Sequence, residues 1–272
     1  MIPRKFHFIR FKAPSVRGGK PFVYANYLCL YSAIKLHPDA EFYFYYDEEI
    51  DSPWFEVLKP YLNLVKVKAP KEIFGIPLKR VEHQADIFRL KILLEEGGVY
   101  LDTDVFLIKP LDELLSHNFV MGIENGMGLC NGVILSEKNS IFAQTWYDSY
   151  HPDCTREGAG FKPDGWGEMS VRFPELLSKD FEDYMTILPV TAFFQPSGCG
   201  KGMAVLFDSE EYSCEESYGN HLWESQSWDL YLKDMEPIDV MEKNGYFYKL
   251  VKNNFTSGEI VGITKLATTL QK

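Results

Sequence analysis

The sequence has no surplus of basic residues. Its 272 residues include 28 Lys and Arg against 39 Asp and Glu, a formal net charge of −11. This negative net charge argues against a nucleic-acid partner and against electrostatic binding to anionic membranes, because both need positive charge on the protein. A phosphorylated ligand would need its charge offset locally, by a metal, a cationic side chain or backbone N–H groups.

Cysteine is sparse, and long apolar runs are missing. The five cysteines form no CxxC pair and are odd in number, which is typical of reduced thiols in a cytosolic protein. The N-terminal MIPRKFHFIRF lacks the apolar stretch of a signal peptide or membrane anchor. We therefore expect a cytoplasmic protein without a transmembrane segment.

Internal repeats, low-complexity tracts and a clear linker are also missing, so we expect a single domain over residues 1–272. At 46% hydrophobic and 15% aromatic residues, the chain can bury a substantial core, which excludes general disorder.

Strand and helix patterns alternate through the first 110 residues, which predicts an α/β fold. The expected order is strand 6–11, helix 21–36, strand 41–47, a short helix near Trp54 and strand 64–67. Such alternation favours a mostly parallel sheet with helices on both faces, and ligands bind at the carboxyl ends of its strands.

The stretch 83–110, HQADIFRLKILLEEGGVYLDTDVFLIKP, is the most informative. Its helix places Asp86 and Arg89 on one face, where they form either an exposed ion pair or a ligand-binding pair. A glycine stop and an apolar strand follow, and the strand ends on Asp102 and Asp104. Carboxylates there need a neutralising cation, so we predict a divalent metal that carries a phosphorylated ligand, rather than a solvated turn.

The pattern becomes mixed after Pro110. We expect strands at 118–125 and 128–137, a helix at 140–150, a loop at 151–168, a helix at 168–178, a strand at 186–194, irregular structure at 195–227 and a last strand at 247–251. PSGCGKGM (196–203) lacks the spacing of a phosphate loop, so Lys201 is a weak phosphate candidate.

A polar, aromatic-rich stretch, GNHLWESQSW, lies late in the chain. His221 is either a structural histidine or a third metal ligand beside Asp104, since imidazole suits Mn-type ions. Ser227 and the Trp228 indole could donate to a diphosphate, although core packing also explains Trp228.

Together these motifs resemble glycosyltransferase family 32, whose members carry a DXD motif. The resemblance rests on IPRKFHFI, on HQADIFRLKILLEEGGVYLDTDVFLIKPLDELL, on Asn131-Gly132, and on His221 with Ser227-Trp228. It implies a GT-A fold, a nucleotide-sugar donor, a glycan or glycoconjugate acceptor, Mn²⁺ or Mg²⁺, and retention of anomeric configuration. We expect a nucleotide-sugar-binding half at 1–125 and an acceptor-side half at 126–272 that completes the metal site. Because the sequence shows no membrane anchor, we expect the protein in the cytoplasm, or peripherally at a membrane carrying the acceptor.

The resemblance also implies roles for single residues. Asp102, Asp104 and His221 would form the metal site, with Asp102 also contacting the donor ribose. Asp86 and Arg89 would hold the donor sugar and, with the two aspartates of the DXD motif, form the catalytic set.

The remaining donor contacts follow in the same way. Ser227 and Trp228 would contact the diphosphate, and Phe8 and Ile9 would lie beside the base. Family members often have Trp where this chain has Arg10, which leaves uridine and guanosine both open.

Two other functions fit some of these residues. In a haloacid-dehalogenase-like phosphohydrolase, Asp102 would be the nucleophile and Asp104 the acid and base, but no downstream acidic motif for Mg²⁺ is evident. A non-catalytic nucleotide-sugar binder is the other alternative, and the full set of candidate residues argues against it.

Overall fold

The computed structural model describes residues 1–12, 20–165 and 167–270. The β-strands in chain order are β1 (Lys5–Arg10), β2 (Glu41–Tyr46), β3 (Asn63–Lys66), β4 (Glu72–Ile73), β5 (Ile76–Pro77), β6 (Gly98–Leu101), β7 (Val105–Leu107), β8 (Phe119–Glu124), β9 (Gly128–Ser136), β10 (Met185–Leu188) and β11 (Gly219–His221).

The α-helices in chain order are α1 (Tyr24–Leu36), α2 (Pro53–Leu58), α3 (Val81–Glu96), α4 (Ile141–Asp148), α5 (Phe173–Ser178), α6 (Gly202–Phe207), α7 (Glu224–Ser227), α8 (Pro237–Glu242), α9 (Tyr246–Asn254) and α10 (Ser257–Leu270). Among the described residues, no helix is both long enough and apolar enough to cross a lipid bilayer.

The central sheet has the strand order β10-β8-β9-β6-β1-β2-β3 within the described residues. Strands β3, β2, β1 and β6 run parallel to one another, and β10 runs parallel to β8. Only β9 runs antiparallel to its two partners in this sheet. The predicted α/β fold with a mostly parallel sheet is confirmed.

Side chains of the sheet alternate between two cores. On β1, Phe6 and Phe8 join one apolar cluster, whereas Ile9 joins the other. On β6, Val99 lies with the first cluster and Tyr100 with the second. This alternation is the period of an extended strand buried on both faces. Helices α1, α2 and α9 cover the first face, and α3, α4 and α5 cover the second.

Two glycines bring the acidic turn to its place in the sheet. Helix α3 ends at Gly97, which has a φ of 65°, a conformation that glycine adopts without strain. A Cβ on Gly98 would lie 2.4 Å from the Lys5 carbonyl oxygen, so only glycine lets β6 pair with β1 here. The pairing of Phe6 with Val99 then brings the end of β6 level with the carboxyl end of β1.

The late part of the chain departs from the predicted pattern. The strand predicted at 247–251 is wrong, because these residues lie in helix α9. Phe247, Tyr248 and Val251 are buried there, and they recur with the spacing of one helical face. A short run of aromatic and branched residues fits both the alternation of a strand and the period of a helix, and the sequence alone favoured the strand.

The strand and helix predicted between 168 and 194 are only partly right. Strand β10 stops at Leu188, because Pro189 cannot donate to the ladder. The helix predicted at 168–178 is a single π-helical turn, Glu168–Arg172, followed by α5. The segment 195–227, predicted to be irregular, contains α6, β11 and α7.

Candidate active site

The acidic turn Asp102-Thr103-Asp104 joins β6 to β7 and is bound on both sides. The backbone N–H of Asp102 donates to the Gly132 carbonyl at 2.8 Å. The side-chain amide of Asn26 donates to the Thr103 carbonyl at 3.2 Å. Asp104 is only 7% exposed, so the turn is not a solvated surface turn.

Strand β11 brings His221 to this turn. It pairs antiparallel with β7, so that His221 lies opposite Val105. The His221 Nε2 atom is 3.7 Å from a carboxylate oxygen of Asp102 and 3.7 Å from one of Asp104. One ligand atom from each of the three residues lies within 4.8 Å of the other two. The sequence-predicted metal ligands therefore form one cluster.

A glycine keeps the space between these ligands open. A Cβ on Gly132 would lie 2.9 Å from Oδ2 of Asp102 and 3.2 Å from Nε2 of His221. Two carboxylates and one imidazole form a ligand set that suits Mn²⁺, and Mg²⁺ also takes such carboxylates. The residues present thus fit a divalent ion.

The second ring nitrogen of His221 sets a condition on metal binding. Its Nδ1 accepts the backbone N–H of Trp223 at 3.0 Å, so the neutral ring carries its proton on Nε2. To hold a metal through Nε2, His221 would have to carry its proton on Nδ1 and give up the hydrogen bond from Trp223.

A buried guanidinium joins the acidic turn to helix α3. Arg89 Nη2 lies 3.3 Å from Asp86 and 3.5 Å from Asp102, and its Nη1 donates to the Asn131 carbonyl at 2.6 Å. The Asn131 amide donates to Asp86 at 2.7 Å, and the guanidinium lies over the Tyr100 ring. Asp86 and Arg89 are 7% and 5% exposed, so they are not a surface ion pair.

The surroundings shift the pKa values of the three carboxylates differently. Burial raises the pKa of Asp102, but Arg89 and His221 outweigh it and bring that pKa to about 2. Burial raises the pKa of Asp104, and the imidazole of His221 offsets this only in part. Burial also raises the pKa of Asp86, against the influence of Arg89. Asp86 and Asp102 share the guanidinium of Arg89 and Asp104 does not contact it, so the three carboxylates leave negative charge that a divalent cation would neutralise.

Glu224 forms the other border of the site. Its backbone N–H donates to Oδ2 of Asp104 at 2.7 Å. Its carboxylate accepts a hydrogen bond from Asn26 at 3.1 Å and lies 3.6 Å from Lys20 Nζ and 4.0 Å from Arg10 Nη1. Two cationic side chains therefore pair with a residue whose backbone contacts Asp104.

The remaining predicted donor contacts lie at different depths. Phe8 is fully buried in the core, and Ile9 is buried on the opposite face of the sheet. Ser227 is also buried, and its hydroxyl donates to the carbonyls of Leu222 and Trp223. Trp228 is half-buried and has Lys20 Nζ over its ring at 5.3 Å. The structure brings none of these four side chains into the metal cluster, and their donor contacts stay predictions.

Sequence reasoning missed several residues around the site. Asn26, Lys20 and Glu224 were not predicted, and Tyr100, whose hydroxyl donates to Asp102, was predicted only as a strand residue. Asn26 offered a signal, since it is a polar side chain inside a helix that is otherwise buried. Lys20 and Glu224 offered none, because their partners lie far apart in the sequence.

A family model described as the glycosyltransferase sugar-binding region containing the DXD motif matches residues 26–121. Glucan organizing enzyme 1 of Cryptococcus neoformans var. grubii is 32% identical over 267 residues, which cover 93% of this chain and 70% of that protein. Inositol phosphoceramide mannosyltransferase 3 of Schizosaccharomyces pombe is 32% identical over 117 residues, which cover 41% of this chain and 28% of that protein.

Among solved structures, the apo form of glycosyltransferase GlyE from Streptococcus pneumoniae TIGR4 is similar, with a TM-score of 0.53 and 15% identity. The match covers 99% of this chain and 64% of GlyE, and at this identity it shows the fold alone. The chain thus spans less than two thirds of GlyE and of the S. pombe protein, and just over two thirds of the C. neoformans protein.

Proposed function

The chain belongs to the glycosyltransferase family with a DXD-containing sugar-binding region, and from this premise we propose that it is a metal-dependent, retaining hexosyltransferase. It has the predicted GT-A fold. The proposed donor is a nucleotide sugar, with a UDP-sugar favoured and GDP-mannose as the alternative. The proposed acceptor is a hydroxyl group of a glycan or glycoconjugate.

One observation carries this proposal, namely the cluster of Asp102, Asp104 and His221 around the space that Gly132 leaves open. Such a cluster can hold a divalent ion, and the ion, when bound, would act as a Lewis acid on a diphosphate leaving group. Lys20 and Arg10 both pair with Glu224, whose backbone N–H donates to Asp104, which supports a diphosphate at this position.

The residues of the chain would then hold the donor in one orientation. Arg89 is fixed by Asp86, Asp102 and the Asn131 carbonyl, so its guanidinium is preorganised for a ligand beside the metal site. Asp86 accepts while Arg89 donates, which suits sugar hydroxyls. Holding the anomeric carbon in place lowers the entropic part of the barrier.

Retention of configuration is proposed by analogy with the family. In this chain Asp86 and Asp102 both contact Arg89, so neither is a free nucleophile for a double displacement. We therefore propose front-face attack by the acceptor hydroxyl, whose proton passes to the departing phosphate. An inverted product from a defined acceptor would contradict this.

The two sequence halves receive proposed roles. Residues 1–125 would bind the nucleotide sugar, and residues 126–272 would complete the metal site and bind the acceptor. The names of the relatives include a glucan organizing enzyme and a mannosyltransferase, which makes glucose and mannose the first hexoses to test.

The test is hydrolysis of UDP-glucose, UDP-galactose, UDP-N-acetylglucosamine and GDP-mannose, with Mn²⁺ and with EDTA, by the unaltered protein and by Asp104→Ala. Metal-dependent release of one nucleotide, lost in the variant, is the expected result. Release of phosphate from simple phosphomonoesters, with no nucleotide released from the panel, would favour the phosphohydrolase instead.

A further inference from the structure

Asn26 is a buried polar side chain in the first turn of helix α1. It is only 1% exposed, and it lies in a stretch of the helix that is almost entirely buried. Asparagine has a lower helix propensity than alanine or leucine, and burying its amide costs free energy unless the polar atoms are hydrogen-bonded. A buried asparagine at this position is therefore expected to have specific partners.

The oxygen and both amide hydrogens of Asn26 are hydrogen-bonded. Oδ1 accepts the backbone N–H of Val23 at 3.0 Å. Nδ2 donates to the backbone carbonyl of Thr103 at 3.2 Å and to the carboxylate of Glu224 at 3.1 Å. With the amide turned over, its oxygen would face two acceptors, so the partners determine its orientation. One side chain thus joins the start of α1, the acidic turn and the start of α7.

The two acceptors of the Asn26 amide lie on either side of Asp104. Thr103 precedes Asp104 in the acidic turn, and Glu224 donates its backbone N–H to Oδ2 of Asp104 at 2.7 Å. The backbone N–H of Leu222 donates to the carbonyl of Asp104 at 2.8 Å. Asp104 is therefore held between the acidic turn and the segment 222–224. Asn26 bonds to both of these segments.

This arrangement matters because Asp104 is fixed differently from Asp102. The carboxylate of Asp102 lies against the guanidinium of Arg89, whereas among the described residues Asp104 contacts no guanidinium or ammonium group. Hydrogen bonds from the segment 222–224 hold Asp104 instead. A metal site needs its ligands within about 0.5 Å of the productive geometry. The position of that segment relative to the turn should therefore influence metal affinity.

We propose that Asn26 is a positioning residue for the metal site. By bonding Thr103 and Glu224 together, it fixes the place at which Asp104 presents its carboxylate. The proposal rests on the proposed function and deepens it, because it makes metal affinity depend on the first turn of helix α1. The alternative is that Asn26 serves only the stability of α1, through its bond with Val23.

The main variant is Asn26→Ala, with Ser32→Ala as the matched control. Ser32 is also on helix α1 and 1% exposed, and its hydroxyl accepts the backbone N–H of Leu107 in β7 at 2.9 Å. Each change removes a buried hydrogen bond between α1 and the chain around β7, so both should lower the urea midpoint. Only the bonds of Asn26 reach the acidic turn and Glu224.

Calorimetric titration with Mn²⁺, at a temperature where all variants are folded, measures the affinity of the site. We expect Asn26→Ala to lower this affinity about tenfold, the lower end of the effect of residues that orient metal ligands. Ser32→Ala should stay within twofold of the unaltered protein. A role in stability alone would lower both urea midpoints and leave both affinities unchanged.

A second pair of variants tests the same bridge without changing Asn26, which keeps the test valid if Asn26→Ala does not fold. Glu224→Gln and Glu224→Ala both remove the charge and keep the backbone N–H to Asp104. The glutamine oxygen can still accept the hydrogen bond from Asn26, whereas alanine cannot. Glu224→Ala should therefore bind Mn²⁺ about threefold more weakly than Glu224→Gln, the effect of one neutral hydrogen bond.

Each other outcome overturns the positioning role. Equal Mn²⁺ affinities of Asn26→Ala and the unaltered protein, or of the two Glu224 variants, would show that the bridge does not position the ligand. An equal loss in Ser32→Ala would show a general loosening of α1. If Asp104→Asn abolishes Mn²⁺ binding while Asn26→Ala does not alter it, the proposed function stands and only the role of Asn26 fails. If the unaltered protein binds no Mn²⁺, both fail.

Discussion

The two carboxylates of the acidic turn lie one residue apart, yet their surroundings are opposites. Asp102 faces a buried guanidinium and the Tyr100 hydroxyl, so its negative charge is compensated within the protein. Asp104 contacts no guanidinium or ammonium group among the described residues: it accepts the Glu224 backbone N–H and shares the imidazole of His221 with Asp102. The first carboxylate is therefore part of the folded framework, and the second is the one left for a ligand.

We therefore expect changes around Asp102 to affect mainly stability, and changes of Asp104 to affect mainly metal binding. Breaking a compensated buried charge pair leaves an uncompensated charge, which destabilises a protein strongly. Removing a carboxylate that lacks a protein cation relieves repulsion, and its cost appears only when the metal is added. The following changes test that separation.

The largest effect is expected from Arg89→Met, which leaves the buried Asp86 and the partly exposed Asp102 without their cation. The free energy of unfolding should fall by about 3–5 kcal/mol, as measured by urea denaturation without metal. Adding Asp86→Asn should recover part of this loss, because it removes one of the two unpaired charges. A loss below about 1 kcal/mol would contradict the framework role of Asp102 and its partner.

Asp104→Asn should leave the metal-free stability within about 1 kcal/mol of the unaltered protein, since the amide oxygen can still accept the Glu224 N–H. At a Mn²⁺ concentration 100 times its dissociation constant, metal binding should stabilise the unaltered protein by about 2.7 kcal/mol. The variant should lose this gain. Thermal unfolding with EDTA measures the metal-free stability, and unfolding with Mn²⁺ measures the stabilisation by the metal. An equal stabilisation of the variant by Mn²⁺ would exclude Asp104 as a ligand.

Gly132→Ala should lower the affinity for Mn²⁺ about tenfold, which is about 1.4 kcal/mol. The added Cβ would press on Asp102 and His221 without removing either ligand. Gly262→Ala is the matched control, because it lies in α10 and its Cβ would meet no atom within 4 Å. Calorimetric titration with Mn²⁺ should distinguish the two, and equal affinities would place the metal elsewhere.

The smallest effect is expected from Glu224→Gln, which removes the partner of Lys20 and Arg10 but keeps the backbone N–H to Asp104. These ion pairs are partly exposed, so the change should cost about 0.2–1 kcal/mol of stability. This cost should shrink in high salt, whereas the cost of Arg89→Met should not. A salt-independent loss would show that Glu224 belongs to the compensated framework.

Part of the fold and of the candidate site could be predicted from local patterns in the sequence. Apart from the short strands β4 and β5, which were not predicted, the strands and helices up to residue 136 were predicted to within a few residues, because apolar periodicity and glycine stops are local signals. Asp86, Arg89, Asp102 and Asp104 lie in one such stretch. Their proximity was predictable, because the helix, the glycines that end it and the following strand fix their relative positions.

The rest depended on contacts between distant parts of the chain. His221 reaches the turn only through the pairing of β11 with β7, and the three residues of that strand carry no clear periodic pattern. Glu224 and Lys20 meet across the fold. Tertiary packing, which leaves no mark on local sequence, decides these positions.

Because of the pairing of β11 with β7, the segment that identifies the family does not contain the whole candidate metal site. The segment matched by the family model, residues 26–121, contains both aspartates of the motif but neither Gly132 nor His221. A chain released or cut before β11 would thus hold only two of the three ligands. The affinity of the proposed metal site would therefore depend on the docking of β11 against β7.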